Sequence, residues 1–152
     1  MIERATGYYT GAVGNDGSLY RGGFLGEFED PDNGTTILVK THRPINRATA
    51  AVLLIRNPYN AILAEFNRNH GGGHTGHASR EDFYDREVWY AKVLDQGKRW
   101  KMLYNRYIRS MPAHVIYFEE IKQNLKGTME SILEFLHVDI ENFDEVSPLR
   151  PH

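Results

Sequence analysis

Three stretches of the chain, "TTILVK" at 35–40, "AAVLLIR" at 50–56 and "AHVIYFEE" at 113–120, are short apolar runs that stop abruptly at charge. A strand with one wet face alternates apolar and polar residues, whereas a strand covered on both faces reads as a continuous run rich in Val, Ile and Leu. The second run therefore predicts a strand buried on both faces, with the other two as its companions. Helical patterns separate them. "NPYNAILAEFNRN" follows the second run at once, with Asn57 placed as N-cap, Pro58 at the first helical position and Ile62, Leu63 and Phe66 on one face. A longer amphipathic helix is expected from about Phe83 to Ser110, with Trp89, Val93, Trp100, Leu103, Tyr104 and Tyr107 near helical spacing, Gly97 as a possible interruption and Pro112 as its stop. After the third run, Met129, Ile132, Leu133 and Leu136 form a core-facing stripe. Strands alternating with helices in this way predict an α/β domain with a parallel sheet.

The 152 residues fit one domain, read as a helix end and long loop at 1–34, an α/β core at 35–138 and a tail at 139–152. The first segment holds most of the glycine and carries the turn signals "NDG" and "DNG". Its opening "MIERA" has no N-cap of its own, which leads to the expectation of a helix that starts upstream. Apolar residues at 41% and charged residues at 25% describe a globular chain. No apolar run approaches the roughly 18–20 residues a bilayer span requires. A net charge of −2 gives no general attraction to nucleic acid or to an acidic membrane, so any anion site must be local. Cysteine is absent, which excludes a disulfide framework and any Cys-based nucleophile or metal site.

Open parallel sheets bind ligands at the carboxyl ends of their strands. Here those ends are Lys40 to His42, Arg56 to Asn57 and Phe118 to Glu120. Arg56 sits between a strand and a helix N-terminus, where free N–H groups and the helix dipole favour an anion and a guanidinium adds a fork of donors suited to phosphate. The competing reading pairs Arg56 with a carboxylate at the sheet edge. His42 has the chemistry of a general base near neutral pH, and Lys40 beside it that of a cation for charge developing on a transferring group.

At this point the three ends look like a known set. "LVKTHRP" resembles the "KTHLP"-like segment of sulfotransferases that use 3′-phosphoadenosine 5′-phosphosulfate (PAPS), and "LLIRNPYNAILAEFNR" resembles their 3′-phosphate-binding strand, turn and helix. "HVIYFEEIKQNLKGTMESILEFLHV" resembles their "YEDL…LLEFLG" region. "ERATGYYTGAVGNDGSLYRGGFLGE" and "GGHTGHAS" look most like the sulfotransferase domain of the WSC-domain-containing group. The resemblance implies a P-loop-NTPase-like three-layer fold with a parallel sheet, truncated here at both ends. It implies sulfonate transfer from PAPS as co-substrate, without a metal, to a hydroxyl-bearing acceptor, carbohydrate or other. His42 then matches the catalytic base, Lys40 a basic residue near the transferring sulfonate, Arg56 the ligand of the 3′-phosphate, and Phe118 the aromatic near the adenine, without its hydroxyl.

Two departures from the family pattern bear on activity. The serine expected eight positions after the arginine is Ala64, with Asn60 or Asn67 as the residues able to replace its hydroxyl. Losing one hydrogen bond to a charged group is worth about 1.5–3 kcal/mol. The chain also contains nothing like the family's "P-K-S-G-T" loop or a G-x-x-x-x-G-K-S/T substitute, and "MIERATGYY" reads as the end of the helix that such a loop precedes. The basic glycine-rich segment that closes over the 3′-phosphate is likewise expected beyond "VSPLRPH". Little or no turnover is therefore expected of the 152 residues alone, and the alternative is a noncatalytic sulfotransferase-like protein retaining at most the 3′-phosphate site.

Other constellations carry less. His70, His74 and His77 lie among glycines, so their spacing has no helical geometry and a loop facing the acceptor is the better reading than zinc. The aromatic stripe from Trp89 to Tyr107 reads as core rather than as a stacking platform. Glu119 and Glu120, being adjacent, point apart and read as a charge pair at a helix start. No nucleic-acid partner and no membrane contact by this chain are expected. The resembled group resides in Golgi and secretory-pathway membranes through segments outside these 152 residues.

Overall fold

A computed structural model describes residues 2–72 and 76–138. In chain order these form α1 (Ile2–Thr6), β1 (Tyr9–Ala12), α2 (Gly17–Arg21), a 3-10 turn (Leu25–Phe28), β2 (Thr36–Lys40), β3 (Ala51–Ile55), α3 (Pro58–His70), α4 (Arg80–Tyr84), α5 (Arg86–Ser110), β4 (Ala113–Tyr117), α6 (Phe118–Gln123) and α7 (Leu125–Phe135). The class is α/β, and both strand pairs, β1 with β2 and β3 with β4, are parallel. The chain divides into two compact units, Met1–Ile45 with Met129–His152 and Asn46–Thr128. The expected tail at 139–152 lies outside the described residues.

In the first unit, β1, α2 and the 3-10 turn lie within the segment read from sequence as a long loop after a helix end. "YTGA" is short and centred on glycine, so its intrinsic strand signal is weak; β2 supplies the pairing, with Gly11 opposite Val39 and Ala12 opposite Lys40. Glu3 ties this corner together. Its Oε2 accepts from the Thr10 amide at 3.1 Å and the Thr10 hydroxyl at 2.9 Å, and its Oε1 from the Gly26 amide at 3.5 Å. Gly26 is required where it stands, because a Cβ there would lie 2.7 Å from the Thr10 carbonyl oxygen and 2.8 Å from the Thr10 nitrogen. Asp16 caps α2 by accepting from the Ser18 and Leu19 amides.

The second unit holds β3 and β4 side by side, with Leu53 opposite Val115 and Ile55 opposite Tyr117. The run at 51–55 is a strand as expected, but it is not covered on both faces: Leu53 is 6% exposed and Leu54 47%. Asn57 caps α3 and Pro58 stands in its first turn, as the sequence predicts. Phe66 is fully buried among His70, Phe83 and Trp89, with ring centroids 4.3–4.9 Å apart. The expected helix at 83–110 is divided at Asp85, which ends α4 and caps α5 by accepting from the Glu87 and Val88 amides. Gly97 lies within α5 and does not interrupt it. The Tyr104 hydroxyl donates to the Leu54 carbonyl at 2.8 Å, fixing α5 to β3.

On α7 the expected stripe is buried at Met129, Ile132 and Leu133, and Leu136 beyond it is half-buried. The helix end is closed by His137 in the left-handed region, φ 54°, with the Val138 amide donating to the Leu133 carbonyl at 3.0 Å.

Candidate functional site

The parallel register of the second unit sets its site. Ile55 and Tyr117 are paired as the last residues of β3 and β4, so the next residues, Arg56 and Phe118, leave the sheet together. The Arg56 guanidinium carbon lies 5.0 Å from the Phe118 ring centroid, within cation–π range. The Lys122 ammonium also lies 5.0 Å from that centroid. Phe118 and Lys122 are four residues apart on α6 and thus share a helix face. Among the described residues no carboxylate lies within ion-pair distance of Arg56, so the alternative of an edge salt bridge is not what the structure holds.

The first turn of α3 differs from expectation in a way that matters for anions. Asn57 Oδ1 accepts from the Tyr59 amide at 3.0 Å and the Asn60 amide at 3.5 Å, the Ala61 amide donates to the Asn57 carbonyl, and Pro58 has no N–H. The Asn57 amide donates at 3.1 Å to Glu119 Oε1 on α6. The backbone donors that the sequence offered to a phosphate are thus taken by the cap and by Glu119, which leaves side chains as the anion ligands. Glu119 has a role beyond the helix dipole, since it bridges the two strand ends. Asn67 accepts from the Ala78 amide at 3.0 Å and is committed to its loop, while Asn60 is exposed.

Lys40 and His42 belong to the first unit. Lys40, the last residue of β2, places its ammonium 3.1 Å from Glu27 Oε1 and 3.4 Å from Oε2. The Glu27 side chain is 6% exposed, that of Lys40 44%. Glu27 Oε1 also accepts from the Asp16 amide at 3.1 Å. His42 is exposed in a turn closed on both sides by Thr41, whose hydroxyl donates to the Arg43 carbonyl at 2.7 Å while accepting from the Arg43 amide at 3.1 Å. An exposed imidazole on a pinned turn is accessible to an incoming hydroxyl.

Sequence reasoning missed Glu27 and Lys122. The spacing from Phe118 to Lys122 was a usable signal for the second; Glu27 sits in a glycine-rich segment whose 3-10 turn left no periodic trace. Among the described residues no group of three His, Asp or Glu is placed to hold a metal ion, and His74 lies outside them. No helix among them is long and apolar enough to cross a membrane.

Comparison with known proteins places the chain in a family. The chain is 35% identical over 149 residues to WSCD family member CG9164 of Drosophila melanogaster, covering 92% of this chain and 46% of that protein. It is 34% identical over 151 residues to WSCD family member AAEL009094 of Aedes aegypti, covering 93% and 46%. Sulfotransferase 1A1 of Rattus norvegicus is 28% identical over 112 residues, covering 65% of this chain and 37% of that protein. No family model and no solved structure matches. The chain belongs with the WSCD family members, in a sulfotransferase-like family, and spans about half the length of the curated relatives it matches.

Proposed function

We propose that this chain carries part of a PAPS-dependent sulfotransferase site. The observation that supports it most directly is the emergence of Arg56 and Phe118 side by side from two parallel strands, with no carboxylate paired to Arg56 among the described residues. A guanidinium held against a ring and, among the described residues, without a carboxylate in ion-pair reach fits a phosphate, and the 3′-phosphate of the nucleotide is the group that the family resemblance brings to it. The bound nucleotide supplies the activated sulfonate. Within the part of the site that this chain carries, its residues have the following roles. Arg56 anchors the nucleotide, with Phe118 holding the guanidinium in place, and His42 takes the proton from an acceptor hydroxyl. Lys40 carries positive charge at the end of β2 for the transferring group, and Glu27 orients it. The acceptor class is hydroxyl-bearing.

The test is transfer of labelled sulfonate from PAPS to a panel of sugar and phenolic hydroxyls. General-base catalysis contributes about 10²–10⁴-fold, so His42→Asn should lower any transfer by at least about 100-fold. Transfer at an unchanged rate in that variant refutes the assignment of the base.

A further inference from the structure

Phe118 carries two cations, and the second has no assigned role. Arg56 Cζ and Lys122 Nζ each lie 5.0 Å from its ring centroid, so they are at most 10 Å apart. Two like charges do not gather on one ring for each other's sake. Each gains cation–π attraction, and together they set two positive charges about one ring, with Glu119 at its edge on the Asn57 amide. A phosphate whose oxygens each accept a hydrogen bond of about 2.8 Å spans about 8 Å between donors, which falls within that 10 Å limit. The backbone amides of the neighbouring turn are already engaged by Asn57 and Glu119, so a phosphate entering here must be met by side chains. In addition, Ala64 leaves no hydroxyl eight positions after Arg56.

We infer that Lys122 is the second phosphate-binding residue of this site, and that Phe118 serves as the common seat of a two-cation clamp for the 3′-phosphate. The inference rests on the nucleotide reading above. It replaces the expected hydroxyl donor by an ammonium from α6, the helix that follows the neighbouring strand, and it gives Phe118 a role for which a tyrosine hydroxyl is unnecessary. Lys122 also lies in the last turn of α6, where a cation complements the helix dipole. That role alone would affect stability without discriminating between nucleotides.

Calorimetric titration of the chain with adenosine 3′,5′-bisphosphate and with adenosine 5′-monophosphate separates these cases, using wild type, Arg56→Ala, Lys122→Ala and Lys122→Arg. At low salt, Lys122→Ala should weaken the bisphosphate by about 5- to 10-fold and the monophosphate by less than about 2-fold, and Lys122→Arg should restore most of the loss. Bisphosphate binding that depends on Arg56 but is unchanged in Lys122→Ala, or an equal loss for both nucleotides, overturns the role of Lys122 and leaves the nucleotide reading standing. No bisphosphate binding by folded wild type overturns both.

Discussion

Lys40 at the end of β2 is held bidentately by Glu27, whose side chain is 6% exposed and is the buried charged group among the described residues. The pair joins the residue proposed above to serve sulfonate transfer to the segment before β2, and through the Asp16 amide to the start of α2. A buried carboxylate left without its cation is costly, so Lys40→Met should lower unfolding stability by about 1–3 kcal/mol, discounted from a fully buried pair because Lys40 is half exposed. Adding Glu27→Gln should return part of that loss. Chemical denaturation of both variants checks it, and a Lys40→Met protein as stable as wild type would show that the pair contributes nothing.

Glu119 is an anion at the edge of the proposed phosphate site. Glu119→Gln keeps an oxygen for the Asn57 amide while removing the charge. Affinity for adenosine 3′,5′-bisphosphate should therefore rise about 2- to 5-fold at low salt, with the gain shrinking as salt is added. Titration at two ionic strengths reads this; weaker binding would mean that the bridge to Asn57 positions Arg56 through its charge.

The corner organised by Glu3 responds to pH. Burial raises the Glu3 carboxyl, but the Thr10 amide, the Thr10 hydroxyl and the Gly26 and Leu25 amides outweigh it and hold the pKa below its ordinary 4.5. The unfolded chain therefore binds the proton more readily than the folded one. The stability Glu3 contributes is fully present above about pH 4.5 and is lost as pH falls through the lower folded value. Glu3→Gln should flatten the acid limb of a stability–pH curve relative to wild type. Parallel curves for the two proteins would remove Glu3 from the account.

Two glycines should respond in opposite senses to alanine. At Gly97, inside α5, a Cβ meets nothing within 4 Å, so Gly97→Ala should stabilise by about 1 kcal/mol through helix propensity. At Gly26 the same Cβ would lie 2.7 Å from backbone, so Gly26→Ala must displace the 3-10 turn from β1 and should destabilise. Thermal melts of the two variants give the signs directly.

What was legible in the sequence follows from physical scale. The strands at 36–40, 51–55 and 113–117 and the cap and proline of α3 depend on local patterns, and each is found where the pattern puts it. β1 was not legible, because a four-residue strand containing glycine exists only through its partner β2. Arg56 and Phe118 were named separately from motifs, whereas their contact follows from strand register across 61 intervening residues. The occupation of the α3 amides by Glu119 was invisible for the same reason. Glu27 escaped because a buried carboxylate is recognised by its partner, and Lys40 is 13 residues away through turns.

The measurement that bears most directly on the central claim is calorimetric titration of adenosine 3′,5′-bisphosphate into the folded chain and into Arg56→Ala. Saturable binding by wild type, weakened at least about 10-fold by the substitution, is the expected result. Binding that Arg56→Ala leaves unchanged, or none at all by folded wild type, would contradict it.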